Sequence, residues 1–285
     1  AVRPGLGTER VLAGIAAELW RMRLSSSSLH YRGVPVTEAC ERIGKLGFEA
    51  IDIWSRCEGA GPLCEHLEEG LLKIGPEGFA KLLEQHKLRL GTVSCYTAPF
   101  SQFAEKLGEL GGCVVIRGSG QVPDGATGGG LTQLMKNFFE SLKPDLELAE
   151  KHNCTLAIEN HSGRSLLNKL DSFKAFTDLN TNKRLGIALA PYHIQLNGES
   201  VVEAIRLTDS HLKFFYAWQH AEGTKQLPGI GSTDMVPWLR TLAQIKYTGD
   251  VNPFMHHEPE PDAMDDALAK SRDYLLETYR KTKVG

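Results

Sequence analysis

Short apolar segments alternate with longer amphipathic ones along the whole chain. The short segments have the length and the β-branched and aromatic content of buried strands. Eight such segments occur in the sequence: Arg23–Leu29, Phe48–Trp54, Arg89–Cys95, Cys113–Arg117, Cys154–Glu159, Leu185–Ala190, Leu212–Trp218 and Asp250–Met255. Several of the intervals between them carry apolar residues at three- and four-residue spacing, which is typical of helices packed against a sheet.

The helical patterns have recognisable ends. Val36–Leu46 stops at Gly47, Pro76–His86 opens with a proline, and Leu131–His152 reads as one long helix. Strand followed by helix, eight times over, predicts an α/β protein with a closed (β/α)8 TIM barrel in a single domain. An open doubly wound sheet is the alternative, but no Gly-x-Gly-x-x-Gly motif follows the first strand. We assign residues 23–285 to the barrel and expect residues 1–22 to be an N-terminal extension packed on it.

Composition and charge exclude several classes of protein. Hydrophobic residues make up 41% of the chain, which is enough to build a core and excludes a disordered protein. Lysine and arginine number 32 against 35 acidic residues, for a formal charge of −3. Because binding to nucleic acid needs clustered basic side chains, we expect no nucleic-acid partner. No run approaches the ~18 apolar residues that a membrane span requires, so we expect no membrane association.

The compartment and the oligomeric state stay open at this stage. The chain starts at Ala1, and the apolar segment from Val11 to Trp20 is interrupted by Glu18, so no intact signal peptide is visible. A cytoplasmic protein and an exported one whose leader has been removed both fit, as do a monomer and a homo-oligomer. Cys57 and Cys64 lie close together in a Gly- and Pro-containing loop, where an oxidising compartment would allow a bridge.

The fifth strand ends in a carboxylate. Barrel enzymes place their chemistry at the carboxyl ends of the strands. Glu159 and His161 are two residues apart, so they project to the same side. A carboxylate in a barrel interior must meet a cation, a metal or several hydrogen-bond donors. Glu159 is therefore a candidate general base or metal ligand, and the alternative is a structural carboxylate paired with Arg117 on the neighbouring strand.

Three later strand ends supply further candidates. His193 follows the Ala-Pro-Tyr turn after the sixth strand and is placed to transfer a proton near neutral pH. Trp218 and Gln219 end the seventh strand, where an indole face and an amide suit a sugar ring. His256, on the eighth strand, is expected to face the site. The alternatives are a loop histidine without a catalytic role for His193 and simple packing for Trp218.

Several of these segments together resemble the sugar phosphate isomerase/epimerase family of xylose isomerase-like barrels, which also includes apurinic-site endonucleases. The resemblance runs from about Arg23 to the final helix. It is carried by the order of GFEAIDIW, AIENHSG, APYH, LPGIGSTD and the Tyr247-x-Gly249 opening of the last strand.

The resemblance implies a divalent metal held by a Glu, an Asp, a His and a Glu on strands five to eight. Glu159 matches the first of these ligands. Ala190 stands in place of the Asp, Phe215 or Tyr216 in place of the His, and Phe254 in place of the second Glu. Alanine and phenylalanine cannot ligate a metal, and a lone carboxylate holds Mn²⁺ or Mg²⁺ poorly.

A different metal site is the remaining possibility at this stage. Glu159 with His193 and His256 would give a nitrogen-rich set of ligands that suits Zn²⁺ better than Mg²⁺.

The family resemblance implies a sugar or sugar derivative as the small-molecule partner and proton abstraction next to a carbonyl, giving isomerisation, epimerisation or elimination. Glu159 or His193 would be the base and the other the acid. Arg117, His161 and Gln219 would hold hydroxyl or oxyanion groups of the substrate. The alternatives are a carbohydrate-binding barrel that has lost catalysis and a metal-dependent nuclease of abasic sites.

Overall fold

The computed structural model describes residues 20–59, 61–122 and 129–283. Within them eight parallel strands close into one barrel in sequence order: β1 (Arg23–Ser27), β2 (Ala50–Trp54), β3 (Arg89–Ser94), β4 (Val114–Gly118), β5 (Thr155–Glu159), β6 (Leu185–Leu189), β7 (Leu212–Ala217) and β8 (Asp250–Pro253). This arrangement confirms the predicted single (β/α)8 TIM barrel. The predicted N-terminal extension falls, as far as residue 19, outside the described residues.

Helices follow the strands and form the outer layer. The described helices are α1 (Val36–Lys45), α2 (His66–Glu68), α3 (Pro76–Gln85), α4 (Ala104–Glu109), α5 (Gly129–Ser141), α6 (Lys143–Lys151), α7 (Leu170–Leu179), α8 (Pro191–Leu196), α9 (Val201–Thr208), α10 (Val236–Gln244) and α11 (Pro261–Lys283). A π-helical stretch, Glu69–Ile74, continues α2. Short 3₁₀ turns span Ser28–Tyr31, Phe100–Gln102, Asp209–His211 and Gly223–Gln226.

The long helix predicted for Leu131–His152 is wrong as a single element. The structure has α5 up to Ser141 and a separate α6 from Lys143, with Pro144 in the first turn of α6. Proline has no backbone N–H and clashes with the preceding turn inside a helix, but it is tolerated at a helix start. Apolar spacing continues across the break, which is why the pattern alone joined the two helices.

Alternate strand residues face the barrel interior and the helix layer. The outward residues form the larger apolar core, and the inward ones near the carboxyl ends are mostly aromatic or small: Trp54, Ile116, Ala157, Ala188, Phe214, Tyr216 and Phe254. Below them the interior is polar. Asp52 is fully buried there and accepts hydrogen bonds from Ser27, Thr92, Ser94 and the Trp54 indole at 2.7–3.0 Å. Asp52 and its four donors thus fill the barrel interior beneath the carboxyl-terminal mouth.

The barrel closes where β1 pairs with β8, at Arg23↔Asp250 and Leu24↔Val251. Trp20 precedes β1 at the amino-terminal face. Its indole donates to the Tyr247 carbonyl oxygen at 2.6 Å, and the Tyr279 hydroxyl of α11 donates to the Trp20 carbonyl oxygen at 2.6 Å. These bonds join the segment before β1, the segment before β8 and α11 on the amino-terminal face, opposite the mouth.

Two further sequence expectations concern membrane spans and the Cys57–Cys64 pair. No helix in the described part of the chain has both the length and the apolar content to cross a membrane. Cys57 and Cys64 are free thiols that face each other across an isolated antiparallel bridge. The backbone N–H of each donates to the carbonyl oxygen of the other, at 2.9 and 3.3 Å.

Candidate active site

Glu159 ends β5 inside the mouth of the barrel. Its carboxylate accepts a short hydrogen bond from the Tyr96 hydroxyl, which follows β3. The Tyr96 oxygen lies 3.2 Å from the Tyr216 hydroxyl on β7. Three strands thus contribute one chain of polar atoms, because β3, β5 and β7 all present inward-facing residues at this level.

Burial governs the titration of Glu159, Tyr96 and Tyr216. Loss of water raises the pKa of Glu159 to about 7, against the lowering effect of the Tyr96 hydrogen bond, and Asp52 adds a smaller raising effect. Loss of water around the hydroxyls and the neighbouring Glu159 charge also raise the pKa of Tyr96 and Tyr216 well above the usual value for a phenol. Glu159 is therefore poised between its charged and neutral forms near neutral pH, while both tyrosines stay protonated.

Glu159 and His161 line the same pocket, as their spacing predicts. The pocket has a volume of about 280 Å³, and Tyr96, Ser119, Ser162 and Ser165 contribute to its walls. The His161 Nδ1 lies 3.0 Å from the Ser162 carbonyl oxygen. A carbonyl only accepts, so the His161 Nδ1 is the donor in this contact. The pocket thus presents a carboxyl group and an imidazole together.

His193 lies behind this pocket rather than on its wall. It is 5% exposed, its ring packs against His161 at 3.8 Å between centroids, and its Nδ1 lies 3.1 Å from the Ser162 hydroxyl. Burial, with smaller contributions from neighbouring histidines, lowers the pKa of His193 to about 3, so the ring is neutral. His193 therefore packs behind His161 and does not line the pocket itself.

Asn160 explains how β5 and β6 align these groups. Its side chain accepts a hydrogen bond from the Ala190 N–H at 2.7 Å and donates to the Ala190 carbonyl oxygen at 3.1 Å. Pro191 then starts α8, where its fixed φ suits the first helical position. The turn carrying His193 is thus tied to the strand carrying Glu159.

Trp218 belongs to an aromatic wall and is only 2% exposed. Tyr192 stacks on it at 4.5 Å, and its indole N–H donates to Gln226 Oε1 at 2.8 Å. His256 packs edge-on against Trp218 at 5.2 Å, with its side chain 42% exposed. Burial, Arg32 and neighbouring histidines lower the pKa of His256 to about 4. The structure therefore leaves His256 accessible and covers the face of Trp218.

Gln219 has its side chain committed to the chain itself. The amide donates to the Leu227 carbonyl oxygen at 2.8 Å and accepts from the Thr233 N–H at 2.8 Å. Gly231 lies so close that a Cβ there would collide with the Gln219 amide. These contacts hold the loop after β7, so the structure does not bring Gln219 to the pocket.

Arg117 is also away from the pocket. It lies on the outward face of β4, where its guanidinium forms a short ion pair with Asp145 of α6. The expected alternative of a Glu159–Arg117 pair is wrong. The reason is strand alternation: Arg117 shares its face with Val115, whereas Glu159 faces inward with Ala157.

The residues at the family's metal-binding positions do not fit a metal ion. Ala190 and Phe254 offer no ligand atom, and Phe215 faces outward, where it packs against Trp238. Tyr216 faces the interior instead, but as a buried neutral phenol. Within the described ranges no group of three His, Cys, Asp or Glu side chains is placed to hold a metal, and this includes Glu159, His193 and His256.

Sequence analysis assigned no role to Tyr96, Asp52, Asn160 or Gln226, and it named Tyr216 only as a residue in place of the family's strand-seven His. Tyr96 and Tyr216 had a usable signal, because each stands at the carboxyl end of a strand. Asn160 and Gln226 act through hydrogen bonds to backbone groups on other strands, which no local pattern reveals.

Comparisons with known proteins agree with this architecture. The family described as xylose isomerase-like TIM barrel matches residues 40–275. No curated protein matches the sequence. Among solved structures, 3-keto-D-glucoside 4-epimerase from E. coli is 17% identical with a TM-score of 0.67, covering 89% of this chain and 100% of its own.

Two other solved structures show the same likeness. D-allulose 3-epimerase from Methylomonas sp., in complex with D-allulose, is 16% identical with a TM-score of 0.68, covering 91% of this chain and 98% of its own. The IOLI protein, solved with a bound zinc atom, is 14% identical with a TM-score of 0.71, covering 92% of this chain and 99% of its own. At these identities the likeness shows the fold.

Proposed function

The chain belongs to the xylose isomerase-like TIM barrel family, and we propose that it is an isomerase or epimerase of a sugar or sugar derivative. The observation that carries the proposal is the position of Glu159, a carboxyl group with its pKa raised to about 7 on the wall of a pocket that it shares with His161. A base with a pKa near the working pH is the most effective at removing a proton. The sugars named for the structural relatives support the choice of substrate class.

Glu159 removes the proton from the carbon next to the substrate carbonyl. The carbonyl oxygen then gains negative charge. Protonation of Glu159 frees the Tyr96 hydroxyl from that carboxylate, so its O–H turns to the enolate oxygen and stabilises it. For the isomer, His161 accepts the proton of the neighbouring hydroxyl and passes it to the enolate oxygen, and Glu159 returns its proton to the former carbonyl carbon. For the epimer, the hydroxyl keeps its proton, water protonates the opposite face of the deprotonated carbon, and Glu159 releases its proton to the resulting hydroxide.

No step of this reaction passes through a metal ion, because Ala190, Tyr216 and Phe254 occupy the family's ligand positions. The role left for Tyr96 and Tyr216 is the one a metal would otherwise fill, which is to stabilise the developing enolate. Their protons remain in place near neutral pH because desolvation of the hydroxyls and the neighbouring Glu159 charge raise the pKa of both phenols.

The test is hydrogen exchange at carbon. Ketoses, aldoses and keto-glycosides are incubated with the protein in heavy water, and NMR follows the replacement of a carbon-bound proton by deuterium. Glu159→Gln keeps the shape and accepts the Tyr96 hydrogen bond but cannot take a proton, so exchange should fall by about 10²- to 10⁴-fold. Glu147→Gln, on the exposed surface of α6, is the control and should exchange like the wild type. Undiminished exchange in Glu159→Gln would remove Glu159 as the base.

A carbohydrate-binding barrel without turnover is the second candidate. It is favoured by the lost ligand positions at Ala190 and Phe254 and by the Tyr96 hydroxyl already bound to Glu159. Sugar binding with no exchange in any substrate, in the wild type, would favour this candidate over the enzyme.

A further inference from the structure

The loops that follow β4 and β5 pair with each other at the edge of the candidate pocket. Gln121 and Ser165 face each other there in an isolated antiparallel bridge. The backbone hydrogen bonds on the two sides of this bridge are 2.7 and 3.1 Å long. Side chains that lie opposite each other in an antiparallel pair point to the same side. Gln121 and Ser165 both line the pocket of Glu159 and His161, so the paired loops form one of its walls.

The loop that carries Ser165 is held in place by its own hydrogen bonds. The His161 N–H donates to the Leu167 carbonyl oxygen at 3.0 Å, and the Asn168 side-chain amide donates to the Gly163 carbonyl oxygen at 2.9 Å. Gly163 has a φ of 73°, which glycine adopts without strain. A wall that is already fixed costs little conformational entropy when a ligand binds to it.

Hydrogen bonds within the wall determine where the Ser119 hydroxyl points. Its oxygen accepts from the Leu167 N–H at 3.1 Å. Two oxygens are within reach of its hydrogen, the Ser165 Oγ at 2.6 Å and the Gly120 carbonyl oxygen at 3.4 Å. Because O–H···O bonds are usually about 2.5 to 3.0 Å long, the Ser119 hydroxyl donates to Ser165. The reverse direction would leave the hydrogen of Ser119, a residue only 4% exposed, with the distant Gly120 oxygen alone.

The Ser165 hydroxyl hydrogen is therefore left to the pocket. Among the described residues, Ser119 is the only hydrogen-bond partner of the Ser165 side chain, which is half-buried on the pocket wall. The donors run in one direction, from the Leu167 N–H through Ser119 to Ser165. Hydrogen bonds arranged in this way strengthen one another, so the last O–H is a good donor to an oxygen atom of a ligand.

We infer that Ser165 is a specificity-determining residue, whose hydroxyl donates to one hydroxyl oxygen of the bound sugar. It distinguishes this sugar from the analogue that lacks that oxygen. The acceptor is a neutral oxygen, because none of the described residues that line the pocket is a lysine or an arginine and Glu159 would repel an anion. The inference rests on the proposed function for the choice of a sugar as ligand, but it applies equally to a barrel that binds without turnover.

A cycle of variants and deoxy sugars tests the inference. Titration calorimetry on the full chain measures the binding of D-fructose, D-allulose, D-tagatose and D-glucose, and then of the singly deoxygenated forms of the sugar that binds most tightly. Ser165→Ala should weaken binding of the parent sugar by about three- to tenfold, since one hydrogen bond is lost. It should leave the affinity of one deoxy form unchanged, the form that lacks the oxygen bound by Ser165.

Ser141→Ala is the matched control, because Ser141 is exposed on α5 and lies outside the pocket. This variant should bind the parent sugar and every deoxy form like the wild type.

Three results would overturn the inference. Equal weakening of the parent sugar and of all its deoxy forms in Ser165→Ala would show that the substitution disturbs the pocket as a whole. Unchanged binding of the parent sugar, or binding of none of the four sugars to the wild type, would also overturn it. Failure of the proposed function is separate: Glu159→Gln would then exchange carbon-bound hydrogen like the wild type, whatever Ser165→Ala does to binding.

Discussion

Glu159 carries a carboxyl group whose hydrogen-bond donor is a phenol, and this environment decides how the residue titrates. Burial favours its neutral form and raises the pKa to about 7, whereas the side chain in the unfolded chain has its usual value near 4.5. The folded protein thus holds a proton that the unfolded chain has released between these two pH values. The contribution of Glu159 to stability is complete below pH 4.5 and is lost as the pH rises to about 7.

This titration can be measured by unfolding. Glu159→Gln resembles the protonated form at every pH, so it should not show the loss. We expect the free energy of unfolding of the wild type to decrease relative to that of Glu159→Gln between pH 4.5 and 7, as measured by urea denaturation across that range. A constant difference between the two proteins would show that the Glu159 pKa is the same in the folded and unfolded states.

At the residue scale the sequence predicted positions better than partners. Glu159 and His161 line one pocket because two-residue spacing at a strand end fixes a shared face. The structure does not bring Arg117 to the pocket, because this residue lies on the outward face of β4. The sequence alone does not say which face of a strand is inward. Gln219 was assigned to the substrate from its residue type, but its amide is satisfied by a loop that returns from farther along the chain.

Gln226 connects two of the elements that form the mouth. Its Oε1 accepts from the Trp218 indole N–H at 2.8 Å and from the His256 N–H at 3.2 Å, and its Nε2 donates to the His256 carbonyl oxygen at 3.0 Å. One side chain in the turn after β7 thereby fixes the end of β8. The aromatic wall of the site depends on this amide.

Removing the amide should destabilise the protein. Leucine has a similar size, but Gln226→Leu leaves the indole N–H of Trp218 and the backbone N–H of His256 without an acceptor. We expect a loss of about 3 kcal/mol in the free energy of unfolding. Urea denaturation followed by tryptophan fluorescence measures it. Lys225→Ala, exposed in the same turn, should change stability by no more than about 0.5 kcal/mol. Equal losses in both variants would argue against a role for the amide.

The backbone pairing of Cys57 with Cys64 permits a disulfide. Antiparallel residues that exchange both backbone hydrogen bonds have Cα atoms about 5.5 Å apart, which lies within the range of disulfides. With glutathione disulfide as oxidant we expect an internal disulfide, one hydrogen lost from each thiol and reduced glutathione released. Peptide mapping by mass spectrometry should find the Cys57–Cys64 link in the wild type and in Cys40→Ser but not in Cys57→Ser. Thiols that stay free under these conditions would show that the two side chains do not approach.

At the scale of the whole molecule the fold was predictable because repetition carries the information. Eight strand-length segments separated by helical patterns leave few architectures that bury every apolar face, and a closed parallel barrel is the simplest. The polar interior beneath the mouth was not predictable. Its buried Asp52 is satisfied by side chains from β1, β2 and β3, which the register of these three paired strands brings together and no local pattern reveals.

Acid should destabilise the molecule through its buried imidazoles. Burial lowers the pKa of His30 to about 3, and His256 adds to the effect. His30 is fully enclosed beside Phe254, and its Nε2 has no partner. In the unfolded chain His30 takes up a proton near pH 6.5, whereas in the folded protein it stays neutral at that pH. This contribution is complete above pH 6.5 and is lost as the pH falls towards 3.

His30→Phe isolates this effect, because the ring is kept and the unpartnered nitrogen is removed. Between pH 6 and 4 the free energy of unfolding of the wild type should fall more steeply than that of the variant, by about 1.4 kcal/mol per pH unit. Urea denaturation at several pH values gives both slopes. Equal slopes would mean that His30 is protonated in the folded protein.

The junction of Trp20 with Tyr247 and Tyr279 has a practical consequence for binding experiments. It places the start of β1 and the last turns of α11 on the underside of the barrel, turned away from the ligand pockets. A fluorophore or a biosensor support attached at either of those places would leave the opening unobstructed. Sugars presented in solution could then be screened against the immobilised protein without steric interference from the attachment.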